Sequence, residues 1–478
     1  MNKKTFIWLT AIVLFAAVLR IIFFSGIGAS DDLGYTRYAY DISKNSYSFP
    51  ASHQGTRLGL LYIVGFLYNL FGVNEFSSNA FVFLTSIAGI LLIFYFGKIF
   101  FSEKVGLLAA FLLSFFPLDA VFATKLLSDF PSAFFLSLGI FFFLLGEKHK
   151  SRFKVNINFI LSGISIGAAY LIRETALLAL LFFGAYALFY KKMRLNYFLI
   201  FFGFIAMFTI EAAIFHAHTG DFLYRIKALG SNYEKVAESN NFFGRNSFPF
   251  SLAYYPYLLF TTINFGLFYP FILIAVLYCL LFKKKETYPF IIWLVALLSY
   301  LSFGTVSFSH YTPFSGTPRY LSVITFPAML ILAYFLLEDK SRIMKKAVMP
   351  SIIVILLITS IGFVYINDTR NSIGNLRELY PYISGLDKHV YTDSRSKSVL
   401  EYLSGYNNNI ILKEFGDNAS NIKNAYVLVN KRLIKAVAEA HPFIEMEYPK
   451  EISEPPKNWI IIKKIGKGSG STILYYAQ

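Results

Sequence analysis

Cysteine is nearly absent: Cys279 stands alone among 478 residues. That excludes a disulfide scaffold and any multi-cysteine zinc or iron–sulfur site. Charge is also scarce, at 15% of residues, against about 25% in soluble domains. A chain so poor in charge cannot cover a soluble surface. Apolar and aromatic residues are abundant instead, at 56% hydrophobic and 19% aromatic, with 54 Phe and 33 Tyr. This content excludes disorder and predicts a polytopic α-helical membrane protein, with apolar runs of about 20 residues.

Such runs fall at 5–24, 76–97, 105–122, 129–146, 157–172, 175–190, 196–216, 253–282, 288–303, 320–337 and 347–366, predicting about eleven spans. No small-residue cleavage site follows the first run, so it is expected to stay as an anchor. The run Leu58–Phe71 has only 14 residues. At about 1.5 Å per residue it cannot cross a core of about 30 Å, so it is expected to lie in the interface or re-enter. The net charge of +16 is expected to orient the chain in the bilayer, not to bind nucleic acid. With the N-terminus inside, the segments 1–4, 98–104, 147–158, 191–195, 283–287 and 338–346 become cytoplasmic. They are dense in Lys and Arg, as the positive-inside rule requires. Counting 58–71 as a span would put Lys283-Lys284-Lys285 outside. The run 157–190 has basic clusters at both ends, which two short spans meeting at Arg173-Glu174 reconcile.

Residues 1–366 thus form a transmembrane domain with a first outer loop, 25–75, carrying interfacial helices. The outer loops 217–252 and 304–319 are expected to act as covers. Residues 367–478 form a separate extracytoplasmic α/β domain. There, short β-like runs (389–391, 410–412, 426–429, 459–462, 473–476) alternate with helical stretches near 371–386 and 395–404.

Ionisable groups near membrane spans are costly and mark function by default. Here Asp31, Asp32, Arg57, Asp119, Lys125, Asp129, Arg173, Glu174, His310 and Arg319 share one address, the predicted outer helix ends. Arg20 and Glu211 sit about one turn from theirs. An ion-coupled transporter would place charge at the midplane; this pattern points to a reaction site at the outer headgroup level. The sharpest feature is Ser30-Asp31-Asp32-Leu33-Gly34-Tyr35. Adjacent carboxylates repel unless a cation lies between them, and a carboxylate near a low-dielectric boundary makes a good general base. A solvated helix N-cap is the plain structural alternative. His216 and His218, two apart, have no acidic neighbour that would favour a metal.

The order of a first span, an outer Asp-Asp-x-x-Tyr loop and a short Leu-Leu-Tyr-x-x-x-Phe-Leu-Tyr-x-Leu-Phe-Gly run resembles the dolichyl-phosphate-mannose protein mannosyltransferases. It resembles the lipid A aminoarabinose transferases at least as closely. Asp129-Phe130-Pro131, Arg173-Glu174-Thr175 and Pro318-Arg319-Tyr320-Leu321 add to the likeness, which covers about residues 1–340. The resemblance implies a GT-C fold and an enzyme taking sugar from a polyprenyl-phosphate donor on the extracytoplasmic face of the cell membrane. By position it makes Asp31 the catalytic acid of the family's Asp-Glu pair, with Asp32 in place of Glu, and Asp129 the second acidic position. Arg57 takes the basic position before the short apolar run. Thr56 stands where the aminoarabinose branch has an acidic residue, so that branch's metal site does not carry over. Asp31 and Asp129 are the candidates for any divalent cation.

Chemistry supplies a matching parts list. Inverting glycosyl transfer needs a base on the acceptor and stabilisation of an oxocarbenium-like transition state. The leaving lipid phosphate is already anionic and needs cations: Arg57, Lys125 and Arg319, with Arg173 and His310 behind them. Arg57 and Lys125 could equally snorkel to lipid phosphates. The acceptor is a protein, lipid or glycan. A transporter or flippase of lipid-linked sugars is the alternative, as is a receptor-like scaffold, but both leave Asp31-Asp32 without a task.

Overall fold

In a bilayer only a helix or a closed barrel satisfies its own backbone groups, and the apolar runs fold as helices. The protein is described from a computed structural model covering residues 2–238, 250–305, 311–314, 316–338, 347–369, 373–407, 410–416, 419, 421–440 and 454–478. The helices begin with α1 (Lys3–Ile22), α2 (Asp31–Ser43), α3 (Leu58–Phe71) and α4 (Glu75–Phe100). Then come α5 (Glu103–Ser114), α6 (Pro117–Phe122), α7 (Asp129–Lys148), α8 (Arg152–Ile172) and α9 (Ala179–Tyr190). They continue with α10 (Phe198–Thr219), α11 (Tyr224–Glu238), α12 (Phe250–Thr261) and α13 (Phe268–Leu281). The series of apolar helices closes with α14 (Tyr288–Phe303), α15 (Thr325–Glu338) and α16 (Met349–Thr369).

Among the described residues, eight helices are long and apolar enough to cross a membrane: α1, α4, α7, α8, Leu195–Thr219, Lys285–Phe303, Pro318–Glu338 and Met349–Asn367. Each coincides with an expected span. The other three expected spans take a different form. The run 105–122 breaks between α5 and α6, because Pro117 has no N–H to continue the ladder and instead opens a new helix at its first position. The run 253–282 breaks at Thr262, whose hydroxyl accepts from the Asn264 amide and starts a short 3-10 turn before α13. The third, Glu174–Tyr190, is helical but short, opening with a 3-10 turn over Glu174–Leu178. As expected, α3 is a short helix; Tyr62, Phe66, Leu70 and Phe71 on it are exposed.

The chain divides into two compact units. The first comprises Met1–Phe24, Ser48–Leu61 and Asn79–Thr369. Its α8 and α10 approach at two glycines: a Cβ on Gly163 would lie 2.0 Å from the Ile200 carbonyl oxygen, and one on Gly203 would lie 2.3 Å from that of Ile160. Small residues at a helix crossing permit this approach, and it fixes the ends of two helices that carry charged groups.

The second unit comprises Ser25–Tyr47, Tyr62–Ser78 and Arg370–Gln478. The α/β expectation for the last hundred or so residues places its internal boundary near 367, whereas this unit also takes in α2 and most of α3. It contains α17 (Gly374–Ile383), α18 (Ser394–Leu403) and α19 (Lys431–Ala440). Its sheet has strands β1 (Val390–Thr392), β2 (Leu412–Glu414), β3 (Ala425–Asn430), β4 (Trp459–Ile465) and β5 (Thr472–Ala477). The order is β2-β1-β3-β5-β4. Strand β1 runs parallel to β2 and β3, while β5 pairs antiparallel with β3 and β4. Val427, Val429, Trp459, Ile473 and Tyr475 form the buried core of the sheet.

Candidate functional site

In the first unit a chain of charged side chains links the ends of several helices. Asp129 opens α7, where a carboxylate complements the helix dipole, and its Oδ1 lies 2.8 Å from Arg173 Nη1. Its Oδ2 lies 3.5 Å from Arg319 Nε. Arg173 follows the last residue of α8, and its guanidinium stacks over the Tyr320 ring at 4.5 Å. Ser128 Oγ accepts from Arg173 Nη1 at 3.3 Å and from Arg57 Nη1 at 3.0 Å, joining the two arginines through one hydroxyl. Arg57 then donates from Nη2 to Glu174 Oε1 at 2.9 Å. Glu174 Oε2 is 3.6 Å from Arg225 Nη2, and Arg225 Nη1 donates to Glu211 Oε1. The Arg225 guanidinium lies over the Tyr170 ring at 4.3 Å.

The order along this network is Glu211, Arg225, Glu174, Arg57, Ser128, Arg173, Asp129, Arg319. Four guanidiniums face three carboxylates, and most members are buried. Burial alone would raise the Glu174 carboxyl, but Arg57, Arg173 and Arg225 around it hold it well below the usual carboxylate range. Arg319, with 16% of its side chain exposed, is more open than Arg57 or Arg173. Lys125, in the turn between α6 and α7, is partly exposed and lies over the Phe122 ring at 5.1 Å.

In the second unit the two adjacent aspartates have different surroundings. Asp32 is buried, and its oxygens accept from the backbone amides of Ser30 (2.6 Å), Leu33 (3.1 Å) and Gly28. It folds the loop onto the start of α2. Asp31 is the partly exposed member of the pair.

Of the candidates from sequence, Arg57, Asp129, Arg173 and Arg319 meet in one network in the first unit. Asp31 and Asp32 belong to the second unit. His310 lies outside the described residues, as do 239–249 of the loop 217–252. The first part of that loop is α11, held by Arg225 and by Tyr224 Oη donating to the Phe49 carbonyl at 2.6 Å. Arg225 and Ser128 were not among the candidates, and Glu211 was noted only as a charge near a span end. Arg225 has a sequence signal after all: with Ala228 and Leu229, both buried, it follows the i, i+3, i+4 spacing of one helix face. His216 stacks on Phe222 at 3.8 Å and His218 on Phe49 at 4.4 Å, so both rings pack against aromatic neighbours.

Among the described residues no three His, Cys, Asp or Glu side chains group to hold a metal. Of the two carboxylates expected to serve any divalent cation, Asp129 has both oxygens facing guanidiniums, Arg173 at 2.8 Å and Arg319 at 3.5 Å, and Asp31 belongs to the second unit.

This architecture is the GT-C fold. The chain is similar along 98% of its length to ArnT from Cupriavidus metallidurans bound to undecaprenyl phosphate, covering 97% of that chain at 13% identity with a TM-score of 0.62. The apo state of the same protein gives 0.60 at 14% identity, with the same coverage. The archaeal oligosaccharyltransferase AglB from Archaeoglobus fulgidus, in complex with an inhibitory peptide and a dolichol-phosphate, is similar over 100% of this chain and 75% of its own, at 11% identity and a TM-score of 0.55. Residues 58–216 match the family described as dolichyl-phosphate-mannose-protein mannosyltransferase. No curated protein matches the chain significantly in sequence.

Proposed function

We propose that this protein is an inverting glycosyltransferase that moves a sugar from a polyprenyl-phosphate donor to an acceptor hydroxyl at the extracytoplasmic face of the membrane. The observation that carries this reading is the cationic surplus of the buried network, four arginines against three carboxylates, with Arg319 its more open member. The GT-C fold, shared with a protein solved with undecaprenyl phosphate, supports the same donor class.

In this mechanism Asp31 takes the proton of the acceptor hydroxyl as its oxygen attacks the anomeric carbon. The bond from that carbon to the phosphate oxygen breaks, and its electron pair leaves with the lipid phosphate. No general acid is required, because the leaving group is stabilised by charge. Arg319 and Lys125 contact the phosphate, with His310 as a further donor. Arg57 and Arg173, held by Glu174 and Asp129, supply a fixed positive field behind them. In this reading Asp129, paired with Arg173 and close to Arg319, orients these cations.

Incubating the purified protein with a panel of polyprenyl-phosphate sugars tests the reading. Release of free polyprenyl phosphate in the presence of an acceptor is expected. Movement of intact donor across a vesicle membrane without cleavage would replace it with the transporter.

A further inference from the structure

The loop ahead of α2 has no regular structure from residue 24 to residue 30, so its backbone groups need partners from elsewhere. Arg377, on α17, provides them. Its Nη2 donates to the Ser25 carbonyl at 2.9 Å and to the Ile27 carbonyl at 3.2 Å. Its Nε donates to Glu75 Oε1 at 3.0 Å, so the planar guanidinium is forked between a carboxylate and two loop carbonyls. Gly26, between those carbonyls, has φ +64°. A Cβ there would lie 2.5 Å from both Arg377 Nη2 and Glu75 Oε1. The loop is therefore shaped around the ion pair.

From this anchor the connection reaches Asp31 in a few bonds. Beyond Ile27, the Gly28 amide donates to Asp32, which also gathers the Ser30 and Leu33 amides. Asp31 is the first residue of the helix so formed. A second attachment holds the flank of α2. Tyr406 Oη is 2.7 Å from Thr36 Oγ1, its ring lies 4.8 Å from that of Tyr40, and the Arg37 guanidinium sits 5.3 Å from it. Tyr402 Oη is 2.9 Å from Ser78 Oγ, which is in turn 2.8 Å from Tyr68 Oη. All of these contacts lie within the second unit, and those of Tyr406 with Thr36 and of Tyr402 with Ser78 join partners 370 and 324 residues apart.

We propose that Arg377 is a positioning residue for the transfer reaction: the α/β part of the second unit holds the loop that aims Asp31, with Tyr406 as the second point of attachment. This rests on the reading of Asp31 as the base. It gives the C-terminal segment a task in turnover without placing any of its residues on substrate.

The test combines kinetics with hydrogen exchange on the full-length protein. Arg377→Ala is expected to lower kcat by up to about 10²-fold, the scale of a misplacement of about 1 Å, while the donor KM stays within about twofold. Arg377→Lys recovers part of kcat, since an ammonium reaches one partner but cannot fork. Exchange at the Gly28, Ser30 and Leu33 amides rises in Arg377→Ala, a change readable without activity. Tyr406→Phe keeps the ring contacts and loses only the hydroxyl bond. It is expected to reduce kcat by about threefold to tenfold with the same unchanged donor KM, and it stands in if Arg377→Ala does not fold. Unchanged kcat and unchanged exchange in the variants that fold would overturn the proposal. Asp31→Asn, run alongside, separates the two ideas. Normal turnover there removes the base assignment whatever Arg377 does. Lost turnover there, with normal kcat and exchange at Arg377→Ala, removes only the positioning role.

Discussion

Arg173 Nη1 lies 2.8 Å from Asp129 Oδ1, and the two side chains are only 6% and 2% exposed. A buried pair of this kind adds little net stability over an apolar pair, but removing one partner strands the other. Without Asp129, the stranded Arg173 would stand beside Arg57 and Arg319.

Asp129→Ala is therefore expected to destabilise the protein by about 3–5 kcal/mol, read as a fall in Tm of the detergent-solubilised protein. Asp129→Glu, which keeps the charge, should cost much less. Equal melting of wild type and Asp129→Ala would mean that the arginines do not depend on this carboxylate.

Asp31→Asn preserves size and removes proton acceptance, so turnover is expected to fall about 10²–10⁴-fold with donor binding retained. Asp32→Asn behaves differently. Its two oxygens accept three backbone amides, and an amide group in their place turns an N–H toward an N–H. Lower thermal stability and lower kcat are expected together. A mild effect at Asp31 with a selective catalytic loss at Asp32 would move the base by one residue.

Arg319→Ala leaves Asp129 paired with Arg173, so stability is expected to change little. Donor binding should weaken roughly tenfold to a hundredfold, the scale of a lost charge-assisted hydrogen bond. Equilibrium binding of a polyprenyl phosphate measures both this variant and Lys125→Ala.

Glu174 sets a pH dependence. Its folded-state value is held well below the usual carboxylate range by surrounding arginines that outweigh its burial. Its contribution is therefore complete above the unfolded value of about 4.3, declines below it, and is gone once pH falls through the depressed folded value. Melting of wild type and Glu174→Gln should differ most near pH 7 and converge on strong acidification. A constant difference from pH 7 to pH 3 would contradict this.

Orientation is testable with a Cys279→Ser background. A cysteine replacing Ser394 is expected to react with an impermeant reagent from the extracytoplasmic side, and one replacing Lys284 only from the cytoplasmic side. Labelling of position 394 from the cytoplasm would sink the eleven-span topology.

The membrane helices were legible because a bilayer imposes a length: α1, α4, α7 and α8 all reveal themselves as apolar runs. Breaks inside such runs were less visible, since Phe115-Phe116-Pro117 stays apolar while the helix stops and restarts. The strands were readable from short β-branched and aromatic runs, with β2 displaced about two residues from its expected place. Asp129, Arg173 and Arg319 were readable as charges at helix ends. Arg225 was hidden in a loop of 36 residues, because its partners Glu211 and Glu174 come from other helices.

Composition and apolar run length by themselves determined a helical membrane protein with an α/β segment after it, since burial of apolar residues and satisfaction of backbone groups depend on local sequence. Which charge answers which was decided only by tertiary structure. Asp31 and Asp32 are identical neighbours in the chain, yet backbone amides at Gly28, Ser30 and Leu33 converge on Asp32. Likewise Arg377 meets Glu75 across 302 residues of separation. Electrostatic and hydrogen-bonding partners depend on distances in space, and those exist only once the helices have packed.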